Sequence, residues 1–140
     1  MSSPSRGARS LQSALELMGL VFLLAHCASP GTPQFTPWMT GAEYQETFDR
    51  EAERDYYPAR VEGRSTSSGE RYRAEFQPLA LPKNGFYSLH GVSAARYQQM
   101  RDELGARGFS EVWVQTFVDD RGNRRYQATW LPRGSASPAP

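Results

Sequence analysis

Few residues of this chain could do chemistry. A sequence of 140 residues holds two histidines, His26 and His90, one cysteine, Cys27, and a single lysine, Lys83. A Ser-His-Asp relay or a metal site built on imidazoles needs more than that. His26 and Cys27 stand side by side at the end of an apolar run, which leaves His90 as the one imidazole of the remaining chain. No second base lies near it in sequence, so a packing or turn role is expected for His90. Asp119-Asp120 is followed by Arg121, the composition of a solvated turn rather than of a calcium loop. The trio Tyr44, Asp49 and Arg54 returns as Tyr97, Asp102 and Arg107. Five-residue spacing on a helix puts the acid and the base on different faces, so core packing and surface charge account for them. No catalytic residue, no cofactor site and no metal site is assigned, and the chain is read as no enzyme.

What does suggest a site is an asymmetry between related strands. The outward positions Arg60, Glu62 and Arg64 correspond to Trp113, Gln115 and Phe117 in a later segment. If the first set meets water, the second places two large aromatics where solvent would be. Arg125 and Gln127 are the expected neighbours on the adjoining strand. Trp113, Phe117, Arg125 and Gln127 therefore form the candidate contact surface for a protein, peptide or glycan, since an exposed aromatic face marks an interaction site. The alternative is that the aromatics lie under Trp38, the Phe86-Tyr87 segment or the C-terminal tail.

These positions correspond because the chain repeats itself. At the 53-residue offset from Tyr44 to Tyr97, Gln45 meets Gln98, Asp49 meets Asp102, Arg54 meets Arg107 and Val61 meets Val114. With one residue inserted in a polar loop, Arg71-Tyr72 then meets Arg125-Tyr126, and Phe76 meets Trp130. Identities over a full period with one loop-placed gap indicate a tandem repeat. In each copy a capping residue, Thr40 with Glu43 three places on, or Ser93, precedes a helix. Apolar residues recur at helical spacing: Tyr44, Phe48 and Ala52, then Tyr97, Met100 and Leu104. Asp55 and Gly108 stand at the expected helix ends. Two alternating runs around a polar loop follow, with Ala59, Val61 and Gly63 inward in copy one and Val112, Val114 and Val118 in copy two. Phe86 to Leu89 is a further short strand candidate. A lone hairpin is marginal in water. The fold class expected is thus α+β, two helix–strand–strand repeats forming one antiparallel-rich sheet covered by two helices.

The ends are read differently. Arg6 and Arg9 precede the run Leu17 to Ala25, too short to span a bilayer as a helix, which reads as a signal peptide over residues 1–28. Leu24-Ala25-His26-Cys27 resembles a lipoprotein lipobox, making Cys27 the candidate lipidation residue and the only route to a membrane. Plain secretion with cleavage near Ala28, and a buried helix, are the alternatives. Residues 29–37 read as a Pro-rich tether, 38–132 as the repeat domain (copies at about 39–78 and 92–132), and 133–140 as a tail. Without Arg6, Arg9 and Glu16 the chain carries 14 basic and 14 acidic residues. That balance gives no basis for nucleic acid as a partner. No cysteine follows Cys27, so packing alone must stabilise the domain.

The stretches YQETFDREAERDYYPARVEGRSTSSGERYRAEFQP and HGVSAARYQQMRDELGARGFSEVWVQTFVDDRGNRRYQATWLP resemble the bacterial tandem repeat domain, which also forms the N-terminal part of polyglycine hydrolases. The resemblance covers Trp38 to Pro132. It implies an extracytoplasmic repeat module of a bacterium, secreted or lipid-anchored, that accompanies other activities. The β-lactamase-like serine hydrolase of those proteins would use Ser-x-x-Lys, whereas Ala80 stands three residues before Lys83. No catalytic residue carries over. An exported noncatalytic binding module is the expected function; an accessory, substrate-presenting component of a secreted hydrolase system, or a structural envelope protein, is the alternative.

Overall fold

The computed structural model describes residues 34–80 and 85–135. The signal segment, Cys27 and residues 136–140 lie outside the described residues. Copy one comprises helix α1 (Gly41–Glu53), strand β1 (Tyr56–Thr66) and strand β2 (Gly69–Pro78); β3 (Tyr87–Ser93) follows, then copy two with α2 (Ala94–Ala106), β4 (Phe109–Val118) and β5 (Arg124–Pro132). The strand expected around Phe86 to Leu89 is β3, displaced toward Ser93.

Local chemistry starts and stops the helices. Thr40 and Glu43 close the expected capping box, the Glu43 carboxylate accepting the Thr40 N–H at 2.8 Å and the Thr40 hydroxyl accepting the Glu43 N–H at 3.3 Å. Two free backbone donors at the helix start thereby gain partners. Ser93 caps α2 in the same way through Arg96 N–H. After the helices, Asp55 and Gly108 take equivalent left-handed conformations, with φ of 61° and 87°. The expected stripes face the core: Tyr44 is buried on α1, and Tyr97, Met100 and Leu104 on α2.

The strands form two antiparallel sheets rather than one, a pair β1-β2 and a triple ordered β3-β5-β4. The reason lies at the edge of β1, which meets side chains instead of a backbone ladder. β1 lies across the β4–β5 face: Trp113 Nε1 donates to Val61 O at 2.8 Å, and Thr129 Oγ1 donates to Pro58 O at 2.8 Å. The Gln115 amide engages both backbone groups of Gly63. Helix α2 covers the opposite face of the triple sheet, over Ala128 and Trp130. Both outer rows of the β1–β2 hairpin thus have cover, as an unpaired edge requires.

The cover on β2 comes from Thr36, inside the stretch expected to be a tether, and from Met39 just beyond it. Met39 pairs with Tyr72, and Thr36 N–H donates to Ala74 O at 2.8 Å. Met39 opposite Tyr72 repeats the pairing of Val92 opposite Tyr126, so residues 36–39 are copy one's counterpart of β3. Backbone donors and acceptors along β2 outweigh the Pro-rich composition. The boundary of copy one accordingly moves upstream of 39, and that of copy two takes in β3. Irregularities also match, between Pro58 and Arg60 and between Glu111 and Trp113.

Candidate functional site

The four residues expected to form an outer contact surface do come together, but they face copy one. Trp113 reaches β1 through the bond to Val61. Phe117 lies against Gly63 and meets the Tyr72 ring at 6.1 Å. Gln127 is fully buried; its Oε1 accepts the Gly91 N–H at 3.1 Å and its amide nitrogen donates to Gln115 Oε1. Arg125 Nε sits 2.9 Å from Asp119 and 3.6 Å from Glu70. The covering element is β1, not Trp38, the 86–87 segment or the tail. Of the three valines expected inward, Val112 packs against Tyr57, Ala59 and Leu131, whereas beyond the irregularity between Glu111 and Trp113 the orientation is reversed, Val114 and Val118 being 42% and 51% exposed. Alternation relates the side chains from Trp113 onward, the irregularity breaks it at Val112, and the docking of copy one decides which face is buried.

At this junction His90 lies between two tyrosines, its ring 4.6 Å from that of Tyr44 and 5.0 Å from that of Tyr72. Burial holds the imidazole below its ordinary range, against an opposing pull from Glu70. The Tyr72 hydroxyl donates to Glu70 at 2.5 Å, and burial, reinforced by this acceptor, raises its pKa. Gly91 has φ of 62°, and a Cβ there would meet the Tyr72 hydroxyl. The His90-Gly91 pair therefore places an imidazole in the aromatic cage while letting the tyrosine oxygen pass.

Asp119 closes the network. Burial by itself would raise its carboxyl, but bonds from Asn123, Arg125 and Arg121 prevail and hold it below the usual range. It accepts the N–H groups of Arg121 at 3.0 Å and Asn123 at 2.8 Å, so the β4–β5 loop is folded around it. Among the described residues no group of three His, Cys, Asp or Glu could hold a metal, and no helix is long and apolar enough to cross a membrane. The arrangement pairs carboxylates, guanidinium and phenol with one another at a partly buried junction, with the imidazole held by ring contacts.

The match to known families follows the same two units. The model of the family described as polyglycine hydrolase-like, structural repeat matches residues 38–78 and again 83–133. The chain belongs to this family. The second match begins before β3, in agreement with a repeat unit that opens on the strand ahead of its helix. No curated protein and no solved structure matches the chain. Within this polyglycine hydrolase-like repeat the two copies are unequal. Copy one opens a cleft between residues 34–37, α1, and the strand ends at Tyr56 and Phe76. Sequence reasoning passed over it, although one signal was present: Thr47 and Glu51 occupy the offsets of the apolar Met100 and Leu104.

Proposed function

We propose that this structural repeat module works as an exported, noncatalytic binding or interaction component, with Cys27 the candidate point of lipid attachment. The observation that carries the noncatalytic part is the closed network at the junction. His90, Tyr72, Glu70, Arg125 and Asp119 are engaged with one another and with backbone. A reacting group needs a partner base within hydrogen-bond reach, and the half-buried imidazole here is packed between two phenol rings. Support for export comes from the basic flank and the apolar run ahead of Cys27. Stiffness is the property such a network confers: rigid units keep a surface in one geometry, which lowers the entropic cost of binding.

A second reading, an accessory role beside a secreted hydrolase, draws on the family description alone and is fold-level analogy. One experiment addresses both. The purified chain is incubated with oligoglycine and with chromogenic esters, by itself and with a serine hydrolase secreted by the same cells. No turnover by the chain itself supports the noncatalytic reading, and turnover abolished by a substitution in the chain overturns it. Acceleration of the added hydrolase favours the accessory role. For export, mass spectrometry of the mature N-terminus separates the outcomes: diacylglycerol on Cys27, a free start near Ser29, or an intact leader that refutes the reading.

A further inference from the structure

The duplication provides an internal comparison for packing. In copy two, the space between α2 and the sheet is filled by Met100, Leu104 and Trp130, with Tyr87, Leu89 and Phe109 packed around them. The same places in copy one hold Thr47, Glu51, Phe76, Gln34, Thr36 and Tyr56. The correspondence rests on backbone, since residues 36–39 pair with β2 as β3 pairs with β5. What is core in one copy is an open cleft of about 560 Å³ in the other. Interiors pack to near-crystalline density, and a pocket of this size, part aromatic and part polar, is within the range that small ligands occupy.

We propose that this cleft binds a sugar bearing a carboxylate, a ligand assignment that rests on the noncatalytic binding role above. Aromatic surface comes from Phe35, Tyr56 and Phe76. Glu51, in place of the fully buried Leu104, has a side chain only 16% exposed and is held by Arg54 at 3.1 Å and by Arg50 at 3.6 Å. Those two guanidinium side chains are 61% exposed, and among the residues lining the cleft they outnumber the one carboxylate. Arg54 also lies over the Tyr56 ring at 5.5 Å.

This set selects by chemistry. A carboxylate satisfies the excess guanidinium in a charge-assisted, two-pronged bond. Ring hydroxyls can add bonds to Gln34 and to the Thr36 and Thr47 hydroxyls, which already take part in bonds to Ala74 N–H and Arg50, whereas a plain fatty or aromatic acid offers no such groups. The C–H face of a pyranose has apolar area to set against the aromatic walls. A phosphate would bring its second charge toward Glu51, and a neutral sugar would leave the guanidinium unanswered.

Galacturonic acid and its trimer are the probes, titrated into the purified chain by calorimetry and by amide NMR, with galactose and acetate as comparisons. Saturable binding that shifts the amides of Thr47, Arg54 and Tyr56 is expected, with galactose and acetate each weaker by at least about tenfold, or 1.4 kcal/mol. Arg54→Gln lowers affinity by a similar factor. The double variant Thr47→Met, Glu51→Leu installs copy two's residues; it should fold with an unchanged or higher Tm and lose binding. The proposal falls if neither uronate binds, if acetate binds as well as the sugar acid, or if the filled variant still binds. Failure of sugar binding with no turnover leaves the noncatalytic reading in place, whereas hydrolysis of the trimer would overturn that reading instead.

Discussion

The side-chain amide of Gln115 acts on Gly63 as a neighbouring strand would. Its Oε1 accepts the Gly63 N–H at 3.0 Å and its Nε2 donates to the Gly63 carbonyl at 3.1 Å. Gln127 in turn donates to Gln115 and accepts from Gly91, so two amides link one copy's strand edge to the other copy's β3. Gln115→Leu leaves both backbone groups of a buried glycine without partners. Each such group costs about 1–3 kcal/mol, so urea unfolding should show a loss of about 2–6 kcal/mol. Trp113→Phe, which removes one bond to Val61 O, should lose about 1 kcal/mol. Equal effects of the two variants would refute the amide's double role.

Gly63 itself has to be small. A Cβ there would come within 2.5 Å of the Phe117 ring and 2.9 Å of the Gln127 side chain. Gly63→Ala should therefore destabilise by about 1–3 kcal/mol as an overpacked site, and Phe117→Leu in the same chain should recover part of that loss. Failure of the double variant to recover stability would show that the backbone of β1, not the ring of Phe117, sets the limit.

Much of the fold was legible because the signals were local. Thr40 with Glu43, and Tyr97, Met100 and Leu104 at helical spacing, each depend on neighbours within one turn. The repeat added a second, independent copy of each signal. What composition concealed was long-range. Thr36 sits among prolines yet pairs with Ala74, because β2's outer row required partners. Trp113 and Phe117 are too apolar to face water, but nothing near them in sequence says that β1 is what covers them. The single sheet failed for a related reason: Gln115, a polar side chain read as outward, replaces the ladder that would have joined the halves. The cleft has no local signal, because an apolar stripe is marked by the residues that continue it and Thr47 and Glu51 interrupt it.

Asp119 organises the β4–β5 loop by accepting from two loop amides and from Arg125. Its carboxyl is depressed in the fold, so the stabilisation is present above the ordinary aspartate pKa and is lost as pH falls through the lower folded value, below about pH 4. Asp119→Asn retains acceptor capacity while removing the charge. It should keep the loop amides of Arg121 and Asn123 protected from hydrogen exchange but abolish the acid-side loss attributable to this group; rapid exchange of both amides in the variant would show that charge is essential to the turn.

His90 acts on the same acid side of the pH profile, in a higher window. Its ring is enclosed by Tyr44 of α1 and Tyr72 of β2. The charges nearby are Glu70 of β2, with Arg125 of β5 paired to that carboxylate. The folded pKa is lowered while the unfolded value is about 6.5, so between the two the unfolded chain binds more protons. Stability should therefore be flat above about pH 6.5 and decline below it, with a slope of at most about 1.4 kcal/mol per pH unit for a single group. The decline should level off once the folded protein also protonates. His90→Phe keeps an aromatic ring in the cage and cannot titrate, so its Tm should be flat across pH 5–7 where the parent's falls. An identical pH dependence in both proteins would assign the decline to another group and remove His90 from the junction's acid response.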